Sequence, residues 1–114
     1  MKKIIIFIFY YIFIFNISLS QNINAADLFE KGKQIFLADG SCATCHTLED
    51  ANSIGNIGPN LNEIKPDISR VLMAVTNGIG VMPAYQGQLS DEEINAVVTY
   101  VVESTNWLFH QDEK

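Results

Sequence analysis

One short motif, Cys42-Ala43-Thr44-Cys45-His46, constrains this 114-residue chain more than any other feature. Its two thiols are one helical turn apart, and an imidazole follows the second thiol directly. This is the arrangement by which a haem is attached to a polypeptide: the thiols add to its two vinyl groups as thioethers, and the histidine becomes an iron ligand. The motif therefore predicts one haem c, bound covalently through Cys42 and Cys45, with His46 beside the iron.

Three other interpretations of the two cysteines are weaker. A disulfide between Cys42 and Cys45 would close a very small loop, and small loops gain little stability from a cross-link. A thioredoxin-like redox pair follows an apolar strand, whereas residues 37–41 are typical of a helix end and a turn. A zinc site would need a fourth ligand, and the only other histidine is His110, near the C-terminus. Haem attachment is the favoured interpretation.

The N-terminus has the layout of a secretory signal peptide. Two lysines precede an apolar run at residues 4–15, and a polar stretch and two alanines follow it. We expect residues 1–25 to be the signal peptide, with cleavage after Ala25; cleavage after Ser20 is the alternative. An uncleaved membrane anchor is a second alternative, because the apolar segment is only slightly shorter than the about 20 residues that span a bilayer. In either form the remaining chain is expected in the periplasm.

The chain beyond this leader is acidic. All 13 acidic residues lie at or after Asp27, whereas two of the 7 basic residues lie in the leader, so residues 26–114 carry a net charge of −8. Nucleic acid is excluded as a partner, because contacts with phosphates need clustered Lys and Arg. Anionic lipids are excluded for the same reason, so membrane attachment would require an uncleaved leader. Partners with basic surface patches are expected.

Apolar spacing and turn signals predict an all-α domain at residues 26–106 and a C-terminal tail at 107–114. The first helix is expected at 27–37 with Asp27 as its N-cap. Gly32 lies inside that helix, where glycine costs about 1 kcal/mol, and a helix tolerates this mainly where another backbone must come close.

Further along the chain, residues 47–57 are expected to form a loop, and a short helix is expected near Asn62. Another helix is expected at 68–76, with Pro66 near its first turn. The last helix is expected to begin at Ser90, which forms a capping box with Glu93. Its apolar face consists of Ile94, Val97, Val98, Val101 and Val102.

Taken together, these motifs resemble the class I cytochromes c, small monohaem electron carriers, over residues 27–104. In that family a Gly-Pro turn follows the haem motif, and a Met-Pro loop precedes the C-terminal helix; Gly58-Pro59 and Met82-Pro83 match these two features. The resemblance implies the cytochrome c fold, with three to five short helices wrapped around one covalent haem. It also implies that the first and last helices cross, where Gly32 and Phe36 would meet Tyr100.

The ligand set follows from the same resemblance. It implies that Met82 is the axial thioether opposite His46, and that the carbonyl of Pro59 accepts a hydrogen bond that orients the imidazole. Met73, His110 and an open sixth position are the alternatives to Met82. The haem pocket is expected to be lined by Leu61, Val71, Leu72, Ile79, Val81 and Ile94.

The expected function is that of a periplasmic one-electron carrier, not an enzyme, acting between a reductase or dehydrogenase and a terminal acceptor. Ligation by Met and His raises the reduction potential of the iron. One alternative is a dedicated cytochrome subunit of a periplasmic dehydrogenase, with Trp107-Leu108-Phe109 buried against its partner. Another is a haem with a vacant site that acts on peroxide or binds a gas. We expect redox proteins as partners, and a monomer or a small subunit of a dehydrogenase.

Overall fold

The computed structural model describes residues 1–17 and 24–106. The predictions for Ser20, for Trp107-Leu108-Phe109, for His110 and for the tail at 107–114 lie outside these residues. The described elements, in chain order, are α1 (Lys2–Ile17), α2 (Ala25–Leu37), α3 (Cys42–Cys45), β1 (Thr47–Leu48), β2 (Ser53–Ile54), α4 (Leu61–Ile64), α5 (Ile68–Asn77) and α6 (Asp91–Thr105).

Helices α2 and α6 cross at very short range. A Cβ atom built on Gly32 would lie 2.1 Å from the carbonyl oxygen of Ala96 and 2.6 Å from the Cβ of Tyr100. Only glycine fits at this point, which explains the unfavourable residue inside α2. Tyr100 is fully buried there, and its ring meets Phe29 and Phe36 edge-on, with centroid separations of 5.0 and 5.6 Å. Such edge-to-face pairs add to the free energy that burial alone supplies.

The N-cap predicted for α2 and the predicted place of Pro66 are wrong, whereas α5 begins at Ile68 as predicted. Helix α2 begins at Ala25, and its N-cap is Asn24 rather than Asp27, which lies in the first turn. The acidic side chain is still well placed there, because the helix dipole favours negative charge near the N-terminus. Helix α5 has Asp67 as its N-cap, with a side-chain oxygen accepting from the amide of Arg70 at 2.9 Å, so Pro66 lies one residue before the cap.

Helix α6 begins as predicted. The hydroxyl of Ser90 accepts from the amide of Glu93, and the carboxylate of Glu93 accepts from the amide of Ser90, so both parts of the capping box are present. This reciprocal pair satisfies two amides that a helix N-terminus otherwise leaves without partners. The buried face of α6 contains all five apolar residues that the sequence assigned to it.

The segment expected to be a loop at 47–57 contains a short antiparallel ladder. Strand β1 pairs with β2, with Thr47 opposite Ile54 and Leu48 opposite Ser53. The turn between them places Asn52 in the left-handed region at φ 49°. Two residues in each strand do not alter the fold class: the domain is helical, as predicted.

A single apolar core joins α2, α5 and α6 with the hairpin. Its buried members in the described residues are Ile35, Phe36, Leu48, Ala51, Leu61, Val71, Val75, Ile94, Ala96, Val97, Val98, Tyr100, Val101 and Val102. The first helix of the chain, α1, has 16 residues. Among the residues that the structure describes, none of the helices combines the length and the apolarity needed to cross a membrane.

The crossing generates the first testable prediction. Gly32→Val should lower the free energy of unfolding by about 2 kcal/mol, because the added side chain would displace backbone atoms of α6 and not a flexible side chain. Urea unfolding of the holoprotein measures the change. Gln34→Ala, on the exposed side of the same helix, is the control and should change stability by less than about 0.5 kcal/mol. Equal stability of Gly32→Val and the native protein would contradict this account.

Candidate functional site

The haem-attachment motif forms the one-turn helix α3. Ser41 precedes it in the left-handed region, at φ 51°, and His46 ends it in an extended conformation while its amide bonds to the carbonyl of Cys42 at 2.9 Å. Both cysteines are free thiols and partly buried. Burial, together with the charge of Cys45, raises the pKa of the Cys42 thiol to about 11. The turn thus brings two thiols and an imidazole to one place in the fold.

The imidazole of His46 is held in one orientation. It is buried, and its Nδ1 atom lies 2.9 Å from the carbonyl oxygen of Pro59. A carbonyl can only accept a hydrogen bond, so Nδ1 is the protonated nitrogen in this contact and Nε2 carries the lone pair. Gly58 packs against the ring, and a Cβ atom built there would lie 2.5 Å from its Cε1 atom. The Gly-Pro turn therefore both binds and covers the imidazole.

The hairpin that follows the motif supports it from behind. A Cβ atom on Gly55 would lie 2.6 Å from the carbonyl oxygen of Thr44 and 2.7 Å from the amide nitrogen of His46. The hydroxyl of Thr47 donates to the carbonyl of Gly55 at 2.9 Å, and the amide of Gly58 donates to the carbonyl of Cys45 at 2.8 Å. The segment at residues 47–57, to which the sequence assigned no role, thus packs directly against the backbone of α3.

The Met82 loop is attached to the end of α5. Gly78 caps that helix at φ 73°, and a Cβ atom there would lie 2.6 Å from the carbonyl oxygen of Met82. Ile79 and Met82 exchange two backbone hydrogen bonds, of 3.2 and 2.9 Å. The Met82 side chain is partly buried and packs against the core, whereas the other candidate, Met73, is 63% exposed on α5.

Tyr85, to which the sequence analysis assigns no role, connects this loop to the haem motif. Its hydroxyl donates to the carbonyl of Gly40 at 2.5 Å, and its amide donates to the carbonyl of Val75 in α5 at 2.8 Å. Burial raises the pKa of its phenol, and the charges of Cys42 and Cys45 add to this effect. No local sequence signal identifies this contact, because the two partners are 45 residues apart.

The residues expected to line the pocket divide into two groups. Leu61, Val71 and Ile94 belong to the buried core. The other three are exposed, with relative accessibilities of 39% for Leu72, 67% for Ile79 and 87% for Val81. Ile57, next to the glycine that covers His46, is also 65% exposed. Apolar side chains therefore flank both the Gly-Pro turn and the Met82 loop at the protein surface.

A polar network lies behind the site, at the helix crossing. One carboxylate oxygen of Asp50 accepts a hydrogen bond from the hydroxyl of Tyr100 at 2.8 Å and lies 3.0 Å from the ammonium of Lys33. Burial is the main cause that raises the pKa of the Tyr100 phenol, and its hydrogen bond to Asp50 and the charge of that carboxylate raise it further. This network joins the hairpin turn to both crossing helices.

The donor set fits a c-type haem. Two free thiols, a buried imidazole with Nε2 available and a thioether in a neighbouring loop are the groups that such a cofactor requires. Because Gly58 has no side chain, the backbone at this position can pack against the imidazole of His46 without a clash. Within the described ranges, no three His, Cys, Asp or Glu side chains are grouped so as to hold a metal ion directly, so the zinc alternative has no ligand set there.

Comparison with known proteins agrees with this fit. Residues 27–101 match the family described as cytochrome c oxidase, cbb3-type, subunit III. The chain belongs to the cytochrome c family. The match concerns a cytochrome c domain, and it does not by itself place the chain in an oxidase complex.

Individual relatives are small cytochromes. Cytochrome c6 of Diacronema lutheri is 36% identical over 76 residues, covering 62% of this chain and 89% of the relative. Cytochrome c6 of Gracilaria tenuistipitata var. liui is 38% identical over 104 residues, covering 84% and 87% of the two chains. The crystal structure of the c-type cytochrome SorU from Sinorhizobium meliloti superimposes with a TM-score of 0.67 at 52% identity, covering 70% of this chain and 93% of that one.

Membership in this family confirms several predictions from the sequence. The protein is a small class I monohaem cytochrome c with the cytochrome c fold. It carries one covalently bound c-type haem, for which Cys42 and Cys45 supply the required motif. It is an electron carrier that acts with redox partners, and not an enzyme.

The Tyr100 network generates a prediction about pH. Because the pKa of the folded-state phenol is raised, its contribution to stability is present below the ordinary tyrosine value of about 10 and is lost as the pH rises above it. Tyr100→Phe should be less stable than the native protein by about 1 kcal/mol at pH 7, since one hydrogen bond is lost. By pH 11 this difference in stability should shrink by about 1 kcal/mol, because the phenol of Tyr100 ionises in the unfolded state of the native-sequence protein.

Urea unfolding of both holoproteins at several pH values measures this difference. Between pH 6 and pH 8 it should stay constant, which serves as the internal control. A difference that grows as the pH rises from 9 to 11 would contradict the assignment.

Proposed function

We propose that this cytochrome c is a periplasmic one-electron carrier in which Cys42 and Cys45 form the thioether bonds to the haem, and His46 and Met82 are its axial ligands. The observation that carries the proposal is the 2.9 Å contact between Nδ1 of His46 and the carbonyl oxygen of Pro59. It supports the role of His46 because a hydrogen bond from Nδ1 to a carbonyl leaves the lone pair of Nε2 for coordination of the iron.

The haem, when bound, supplies the exchange of one electron between the ferrous and ferric states. The chain's own residues set the conditions for that exchange. A hydrogen bond from Nδ1 to a carbonyl raises the basicity of the imidazole and fixes its orientation. A thioether from Met82 would favour the ferrous state relative to harder ligands, and so would raise the potential. Because these groups are fixed by the fold, little rearrangement should accompany the gain or loss of an electron.

Contact with redox partners is proposed to occur at the exposed apolar residues near Met82. Ile79 and Val81 are among the most exposed large apolar side chains of the domain. A small apolar surface around these two residues would suit brief docking, since small interfaces are typical of weak electron-transfer complexes. The net charge of −8 in residues 26–114 would steer the carrier toward partners with basic patches.

Export is proposed on the layout of the N-terminus. Helix α1 contains the apolar run of the leader and begins at Lys2, which fits a signal peptide with a short basic start. We propose that residues 1–25 are removed and that the domain at 26–106, with the tail at 107–114, acts in the periplasm. A retained leader would instead attach the same domain to the membrane.

Two roles of the protein are compatible with this site. A freely diffusing carrier would accept electrons from a reductase or dehydrogenase and pass them to a terminal acceptor. A dedicated subunit would receive them from one periplasmic dehydrogenase within a lasting complex. Recovery of the native protein as a monomer from periplasmic extract would support the first, and co-elution with a dehydrogenase activity would support the second.

Intact mass of the exported protein tests attachment and export in one measurement. The mature chain should exceed its polypeptide mass by one haem, and its polypeptide mass should correspond to residues 26–114. Cys42→Ser together with Cys45→Ser should lose the haem increment and much of the folded structure, because a domain of this size has a modest core without its cofactor. A native chain without the haem increment would overturn the proposal, whatever its N-terminus.

Replacement of the two methionines tests the sixth ligand. Met82→Ala should lower the reduction potential, within the range of about 0.8 V that axial ligands control, and should allow CO to bind the reduced protein. Met73→Ala is the matched control, because Met73 lies exposed on α5; its potential should be native and it should not bind CO. Native behaviour of Met82→Ala, or CO binding by the untreated native protein, would count against Met82.

A further inference from the structure

We infer that Tyr85 is a positioning residue that holds the Met82 loop against the haem-attachment turn, so that its hydroxyl keeps the thioether within reach of the iron. The inference rests on the proposed function, since it assumes that Met82 is the ligand. It assigns a role to a side chain outside the ligand set, on the contact between the Tyr85 hydroxyl and the Gly40 carbonyl at 2.5 Å.

The first step of the argument is the position of Gly40. It is buried two residues before Cys42, and its amide donates to the carbonyl of Ile35 at 2.7 Å. A Cβ atom built on Gly40 would lie 2.8 Å from the sulfur of Cys42. The carbonyl that accepts from Tyr85 thus belongs to a hydrogen-bonded turn that lies close to one of the two attachment thiols.

The second step is the position of Tyr85 in its own loop. It follows Met82 by three residues, and its amide is bonded to Val75 in α5 at 2.8 Å. Its carbonyl accepts from the amides of Gln88 and Leu89, each at 2.9 Å. On the other side of Met82, the paired bonds with Ile79 close a tight turn. Met82 therefore lies between two attachment points, and Tyr85 is the one whose side chain reaches the haem-attachment segment.

The third step is what the hydroxyl adds beyond packing. The aromatic ring packs against the core in any case, so a phenylalanine could fill the same space. The hydroxyl adds a hydrogen bond between the loop after α5 and the turn after α2. Loss of this link should let the loop move away from the attachment turn more often, and each such opening would expose the sixth coordination position to a competing ligand.

Binding of imidazole to the ferric holoprotein tests the inference, because imidazole competes with Met82 for the iron. Tyr85→Phe should bind imidazole roughly 3- to 10-fold more tightly than the native protein, the range expected for the loss of one hydrogen bond. Tyr100→Phe is the matched control: it also removes one tyrosine hydroxyl, at the helix crossing and not in the Met82 loop. Its melting temperature should fall, but its affinity for imidazole should remain native.

Met82→Ala, measured in parallel, separates the two levels of the proposal. If its absorption spectrum and imidazole affinity equal those of the native protein, Met82 is not the ligand, and the proposed ligand set and the inference fail together. If Met82→Ala binds imidazole tightly but Tyr85→Phe binds it as the native protein does, only the role of Tyr85 fails. An equal gain in affinity in Tyr85→Phe and Tyr100→Phe would also overturn it, because that result would reflect general loosening.

Discussion

The close approach of two helix backbones at Gly32 is the constraint on which the rest of the structure depends. It brings α2 and α6, the first and last helices of the domain, into direct contact and buries Tyr100 between them. Everything that carries the proposed function lies in the chain between these two helices. The crossing thus closes that intervening chain into one large loop, and the loop then has to be fixed at several points along its length.

Those points are individual contacts and not repeating backbone ladders. The imidazole of His46 is fixed by Pro59, the hairpin at 47–54 is tied to the crossing through Asp50, and the Met82 loop is tied back through Tyr85. A segment without regular secondary structure has few hydrogen bonds of its own, so each of these contacts has a large share in defining its position. The helices supply the frame, and single side chains and glycines place the donor atoms.

Features with a local cause could be predicted from the sequence. The capping box at Ser90 and the apolar face of α6 depend on residues within one helix, and the spacing of Cys42, Cys45 and His46 identifies the haem. The N-cap of α2 was predicted three residues out of place, at Asp27, because several neighbouring residues can serve as caps. The start of α5 at Ile68 was predicted correctly, although Pro66 lies before its cap. The cost of a glycine inside a helix indicated a close backbone at Gly32, but the helix that crosses there was implied only by resemblance to a family.

Features that depend on distant partners could not be predicted. The ladder at 47–54 has only two residues in each strand, too few for an alternating pattern to appear. The hydroxyl of Tyr85 meets a backbone carbonyl far away in the chain, and carbonyls carry no sequence signal. The sequence identified the Gly58-Pro59 turn, but only the structure shows that Gly58 packs against the imidazole. The role of Met82 as a ligand stays a prediction.

The shared carboxylate of Asp50 has a consequence for how the domain opens. Its partners Lys33 and Tyr100 belong to the first and last helices, while Asp50 itself belongs to the hairpin turn that leads to Pro59. Separation of the helices would therefore break a contact of the hairpin, and displacement of the hairpin would leave a buried phenol without its acceptor. The terminal helices and the hairpin should exchange their amide hydrogens with solvent as one cooperative unit, and the Met82 loop should do so separately.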